Sequence, residues 1–181
     1  IDRWLTDKLH AAVERELLAA HGGQVEALRL WADDRLRMAS SAAGARRVRK
    51  AADRILAGDN VEDSLKVATE EAPAITEVAS NFGFDGWAVV RADGTGFGYT
   101  DQPIVSDLAL SQIRAIQSAL AGDAAMSEPL VVVSREGVPS AFGDGKGAMF
   151  AAVPLKAAEG AAPLALVFRI DPNAQFGRIL S

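Results

Sequence analysis

Apolar residues recur at steps of three and four over residues 1–40. Leu5, Leu9, Val13 and Leu17 form one stripe, and Val25, Leu28, Trp31, Arg35 and Met38 continue it. This period predicts helix. Gly22 and Gly23 interrupt it. Two adjacent glycines cost roughly 2 kcal/mol against alanine inside a helix, so the pattern predicts a kink or a gap there. Ser40, Ser41, Ala42, Ala43 and Gly44 read as a break. A second helix is predicted over residues 45–57, with Val48, Ala52, Ile55 and Leu56 inward and Arg46, Arg47, Arg49 and Lys50 outward. Gly58, Asp59 and Asn60 end it, with Asn60 available as a cap for the next helix. That third helix, over about 61–80, has Val61, Leu65, Ala68, Ile75 and Val78 as its inner face. Pro73 kinks or divides it, because proline has no N–H to give the helix.

From Phe84 the period shortens. Trp87, Ala88, Val89 and Val90 make a short bulky run beside glycine, which reads as a buried strand. Asp93-Gly94 is a hairpin turn, and Thr95 to Thr100 returns as the next strand. Ile104 to Ala121 reads as helix, with Leu108, Ile113, Ile116 and Leu120 inward and Gly122 as its stop. Leu130 to Val133, Met149 to Leu155 and Pro163 to Ile170 are further strands. Ser140 to Gly147 marks a turn and Lys156 to Ala162 a connection. Asp171-Pro172 caps a short terminal helix holding Phe176, Ile179 and Leu180. Strands in the order two, helix, three predict an α+β fold. A long N-terminal helix and a helical segment (residues 1–80) precede a PAS-like five-stranded antiparallel sheet with flanking helices (residues 81–181), together one domain.

Composition narrows the chemistry. At 181 residues the chain is long enough for one substantial core. Its net charge of −5 disfavours nucleic acid, whose phosphates need a basic surface. No cysteine is present, which removes disulfides, thiolate metal sites and cysteine nucleophiles. No apolar run is long enough to span a bilayer, and the first turn carries Asp2 and Arg3 rather than a signal-peptide core. A chain that opens at Ile1 and ends after Arg178, Ile179 and Leu180 reads as a piece of a longer protein.

Motifs that imitate catalytic or nucleotide sites fail on context. Asp93 to Gly98 is glycine-rich, but a dinucleotide loop must open a helix, and here Tyr99, Thr100 and Asp101 come next as strand and loop. Gly143 to Gly147 contains a Gly-Lys pair without the spacing or hydroxyl of a P-loop. His10 and His21 fall on different helical faces with no carboxylate partner set. Asp33-Asp34 and Glu70-Glu71 are adjacent helix residues that point about 100° apart, so neither pair addresses one substrate. Arg46 to Lys50 is a solvated helix face or a contact for an anionic surface. Trp31, Trp87 and Phe150 read as core. Tyr99 (the only tyrosine), Arg114 and Arg135 are better candidates, since a guanidinium beside a small apolar pocket suits a carboxylate. An ordinary exposed arginine is the alternative for each.

The order of motifs resembles the Cache family of extracytoplasmic sensor domains. Val25 to Met38 corresponds to the family's long helix, and Val48 to Leu56 to its helical region. Trp87 to Gly94 matches a strand with an Asp-Gly turn, and Tyr99-Thr100-Asp101 a strand ending in Ser/Thr-Asp. Ala119 to Gly122, then Ser127-Glu128-Pro129, match a helix end and a Ser-x-Pro strand. Ala152 to Leu155 and Val167 to Asp171 match the closing strands. Where amino-acid-binding members carry Arg, Trp and Tyr after the pocket helix, this chain has Ala124, Ala125, Met126 and Ser127.

The resemblance implies a ligand-binding module, with no catalysis and no cofactor, of a bacterial membrane receptor. It would be periplasmic or extracellular, tied to the membrane only by spans outside this chain, and able to dimerise through the N-terminal helix. Its pocket would lie between the sheet and the loop-plus-helix of 99–121, near Tyr99, Asp101, Arg114, Met126, Ser127 and Phe150. The output partner would be a kinase, a cyclase or a chemoreceptor. The rival readings are a non-binding dimerisation module, a cytoplasmic PAS or GAF module, and an enzyme, which would need facing polar residues.

Overall fold

The structure is a computed structural model. It describes residues 2–57, 61–93, 96–99, 103–106, 113–131, 147–155 and 163–174. For residues 2–21, 56, 61, 65, 99, 103–106, 130 and 131 it describes the backbone alone.

The first helix, α1 (Asp2–Gly44), runs unbroken for 43 residues, roughly 65 Å. The predicted interruption at Gly22-Gly23 is absent. Glycine weakens a helix without forbidding it, and the Ala-, Leu-, Glu- and Gln-rich sequence on both sides propagates the turns through. The break predicted at Ser40 also moves, to the end of Gly44. Ala39, Ala42 and Ala43 are buried there, so packing holds the last turns. Ala45 alone is extended (φ −62°, ψ 128°), and α2 (Arg46–Leu56) starts directly after it. α3 (Val61–Asn81) passes through Pro73 without dividing.

The strands are β1 (Gly86–Arg91), β2 (Gly96–Tyr99), β3 (Pro103–Ser106), β4 (Ala125–Met126), β5 (Leu130–Val131), β6 (Gly147–Leu155) and β7 (Leu164–Ile170). They form an antiparallel sheet ordered β3-β2-β1-β7-β6, with β4 and β5 both pairing β6 at the far edge. The five predicted strands are all represented. Two differences stand out. Pro103–Ser106 is an edge strand paired with β2 from Gly96↔Ser106 to Tyr99↔Pro103, where a helix is predicted to start at Ile104. Ile104 and Val105 are β-branched and favour strand, and proline is tolerated at the start of an edge strand. The helix after it, α4 (Arg114–Ala121), is correspondingly short. Asp171 accepts a hydrogen bond from the Asn173 N–H (2.8 Å) and caps a helical turn at 172–174, as the Asp-Pro pair predicts.

β1, β6 and β7 are buried on both faces, so alternate residues serve different cores. Trp87, Val89, Phe97, Met149, Ala151, Val153, Leu166, Phe168 and Ile170 face α1, α2 and α3. Ala88, Val90, Ala148, Phe150, Ala152, Ala165 and Val167 face α4. On the three-helix side, Trp87 is fully buried and donates its indole N–H to Thr76 Oγ1 (2.9 Å) on α3. Phe84 stacks on Phe168 with ring centroids 4.6 Å apart. Arg35 of α1 donates to the Phe82 carbonyl (2.8 Å) just beyond α3. Ion pairs Arg47–Glu77 (2.8 Å) and Arg54–Glu71 tie α2 to α3.

Gly98 stands opposite Ala88 where the strands allow no side chain. A Cβ there would sit 2.4 Å from the Trp87 carbonyl oxygen and 2.8 Å from Ala88 Cβ. Gly98→Ala is therefore expected to destabilise the protein by about 1–3 kcal/mol through overpacking. Urea denaturation should show a lower midpoint with an unchanged slope.

Candidate functional site

The face of the sheet beneath α4 is built almost wholly from small residues. Ala88, Ala148, Ala152 and Ala165 are essentially inaccessible, with Val90 and Val167 between them. Short side chains at every second position let a helix lie close, and α4 answers with Ala115, Ile116 and Ala119. Among the described residues Phe150 is the one aromatic ring in this core, and it has no exposure. α4 ends where the sequence predicts. Gly122 takes the left-handed conformation (φ +110°) that glycine alone adopts cheaply, and the Gly122 and Asp123 N–H groups donate to Ala119 and Ser118 carbonyls.

The residues singled out from sequence fall in several places. Phe150 forms the floor beneath α4. Arg114 is the first residue of α4 and is exposed, on the side of the helix away from Ala115, Ile116 and Ala119. Ser127 is buried beside Phe150, and its polar groups are committed. Its N–H donates to the Phe150 carbonyl (2.8 Å), its Oγ accepts from the Phe150 N–H (2.9 Å), and the hydroxyl donates to the Glu128 carbonyl (2.8 Å). Met126 pairs with Ala151 and packs into the three-helix core, the face opposite Phe150. Tyr99 is the register partner of Trp87 and of Pro103. Asp101, between β2 and β3 in sequence, and Arg135 lie outside the described residues. Phe150 and Ser127 are thus brought together, and Met126 is separated from both by the sheet.

Sequence reasoning did not anticipate the small-residue floor. Its signal was present as Ala or Gly at period two, in Ala88 opposite Gly98 and in Ala148 and Ala152 flanking Phe150. Among the described residues, no group of three or more His, Cys, Asp or Glu is placed to hold a metal ion. No helix among them is long and apolar enough to cross a membrane.

No protein-family model matches this chain, and neither does any curated protein by sequence. Solved structures do match. The ligand-binding domain of the Campylobacter jejuni chemoreceptor Tlp3, in complex with 4-methylisoleucine, aligns with a TM-score of 0.54 at 11% identity, over 88% of this chain and 57% of that one. The Tlp3 sensory domain with isoleucine bound aligns at 0.49 and 9% identity, over 86% of this chain and 65% of that one. The ligand-binding domain of the Pseudomonas fluorescens chemoreceptor CtaA, in complex with L-valine, aligns at 0.48 and 10%, over 86% and 59%. This chain therefore spans little more than half the length of the first. The fold is similar to that of the Tlp3 ligand-binding domain over the aligned part, and it is the α+β architecture that the Cache resemblance implied.

The Ser127 geometry separates a structural role from a ligand-binding one. Ser127→Ala leaves the buried Phe150 N–H without its acceptor and is expected to cost about 1–3 kcal/mol. Chemical denaturation of the ligand-free protein should register this loss in full.

Proposed function

We propose that this chain is the small-molecule-sensing module of a membrane-bound signalling receptor, placed outside the cytoplasm, with the membrane spans and output domain beyond the chain. Residues 1–80 and 81–181 act as one unit in this reading. The fold likeness to the Tlp3 ligand-binding domain over 88% of the chain is the observation that carries it. The proposed pocket lies between the small-residue sheet face and α4 with the segment before it. Phe150 supplies the floor, with Asp101 and Arg114 as the polar groups proposed at its mouth; Tyr99, in register with Trp87 of the three-helix face, is not among them. Ser127 holds the adjoining edge in register, and Met126 contributes from the far face through its packing on Ala151.

A few polar groups on an apolar wall suit a small metabolite. Arg114, a guanidinium at the start of α4, suits a carboxylate through its paired donors. Ala124 to Ser127 replaces the Arg, Trp and Tyr of amino-acid-binding Cache members, so the favoured ligands are small carboxylates in preference to amino acids recognised by that motif. Signalling then needs no bond chemistry. A ligand that prefers one packing of α4 on the sheet shifts the population toward it.

A second reading draws on α1, where Val25 and Leu30 are 52% and 58% exposed. Large apolar residues in solvent on a long helix suit pairing with another copy through that helix.

A thermal-shift screen of the purified domain against small carboxylates, amino acids, amines and purines decides between the two. A ligand at a hundredfold excess over Kd should add about 2.7 kcal/mol of stability. Arg114→Ala should abolish that gain while leaving the ligand-free melting temperature nearly unchanged. No shift with any compound, together with concentration-dependent sedimentation, would instead favour the dimerisation module.

A further inference from the structure

α2 divides its cations into two sets. Arg47 and Arg54 pair with Glu77 and Glu71 of α3. Arg46, Arg49 and Lys50 make no ion pair among the described residues. They turn to the other side and line a cleft of about 370 Å³, whose apolar wall is Leu155 and Leu164 at the facing ends of β6 and β7. Asp53, one turn further along α2, is the single carboxylate on its lining among the described residues, against three cations. In a chain of net charge −5 this is a local reversal of sign.

The helix end adds to it. α2 has no acidic residue in its first turn, and Ala45 gives no side-chain cap. The positive end of the helix is therefore not neutralised by its own side chains. A second cleft of about 430 Å³ adjoins the first and shares Arg49 and Leu155 with it. Apart from Arg49 and Ser40 its walls are small or apolar, including Ala43, Val153 and Pro154. A cationic cleft opening onto a mostly apolar one fits an anionic group carried on a less polar body.

We propose that the cleft between α2 and the β6–β7 ends is a second binding site, one that takes an oxyanion of the phosphate or phosphate-ester class. It lies on the three-helix side of the sheet, opposite the α4 face, so it is separate from the metabolite pocket proposed above. Two guanidinium forks and an ammonium provide the paired donors that a tetrahedral oxyanion accepts. Leu155 and Leu164 exclude water from one side of the anion, which strengthens those bonds. The same chemistry is carried by a free phosphate compound and by an anionic lipid headgroup.

Calorimetric titration with sodium pyrophosphate, at ionic strength held constant with sodium chloride, tests the site. Sedimentation with phosphatidylglycerol and with phosphatidylcholine vesicles is run alongside it. The variants are the double substitution Arg49→Gln/Lys50→Gln, with Arg29→Gln on α1 as the control. All three positions are exposed, and circular dichroism checks the fold of each. Saturable pyrophosphate binding is expected, roughly tenfold or more weaker in the double variant and unchanged in the control. Capture by phosphatidylglycerol alone, lost in the double variant, upholds the site and assigns it to a lipid headgroup. Binding of neither probe overturns the proposal, as does binding that survives the double substitution. Because the thermal-shift screen with Arg114→Ala reads the α4 pocket and pyrophosphate binding to Arg49→Gln/Lys50→Gln reads this cleft, failure of one reading is distinguishable from failure of the other.

Discussion

The structure depends on three strands that are buried on both faces. β1, β7 and β6 are adjacent in the sheet, and between their end residues they are buried on both sides. Residues along those stretches must therefore satisfy a core, and the two cores are filled differently. Toward α1, α2 and α3 the sheet presents Trp87, Phe97, Leu166 and Phe168. Toward α4 it presents alanine, valine and a single phenylalanine. Large side chains hold a three-helix layer against one face by buried area. Small ones let a single short helix approach the other face closely but give it less area to hold. α4, with eight residues, packs on β6 and β7 through Ala115, Ile116 and Ala119.

Buried polar groups are handled in keeping with this constraint. The indole N–H of Trp87 cannot reach water and finds Thr76, which lies about one turn from the core residues Ala72 and Ala79. At the edge of the sheet, β4 and β5 are two-residue pairings separated by residues 127–129. Ser127 fills the gap with its own backbone and hydroxyl, so β6 keeps its hydrogen bonds where regular pairing lapses. At the opposite side of β1, the Asp85 N–H donates to the Arg169 carbonyl (3.1 Å), and the Arg169 guanidinium reaches back to Asp85 (2.8 Å), fixing where the strand begins.

Much of this architecture was legible in the chain, and what escaped has physical causes. Val48, Ala52 and Ile55 are inward on α2 as their spacing predicts, and Gly122 and Asp171 act as helix stop and cap. Each of those signals is local. The Gly22-Gly23 pair misleads because helix propagation is cooperative and reads its neighbours. Ile104 and Val105 mislead because a short apolar run fits strand and helix equally well, and only the pairing with Gly98 and Phe97 decides. The site was less legible than the fold. Met126 and Phe150 look equivalent as apolar residues near the sheet edge, yet one step of register puts them on opposite faces. Ser127 looks like a ligand contact until its hydroxyl is seen to be consumed by the backbone of Phe150.

The double burial also bears on how a sensing module of this shape would relay a signal. β6 is the strand that both coverings share. Phe150 and Ala152 meet the α4 side, while Ala151 and Val153, their immediate neighbours, meet the side where α1 packs. A sheet is one residue thick, and interiors packed at crystal-like density do not absorb displacements as a liquid would. On the proposed reading, a ligand that moved α4 would act on Phe150 and Ala152, and the alternating residues of the same strand would carry that change to the buried alanines of α1. Arg35 extends the chain of contact, since it joins α1 to the turn between α3 and β1. The relay would be set by the difference in ligand affinity between the two packings of α4 and not by affinity itself. α4, a short helix over a small-residue floor, is the element through which that difference would be obtained, because it packs on β6 and β7 directly.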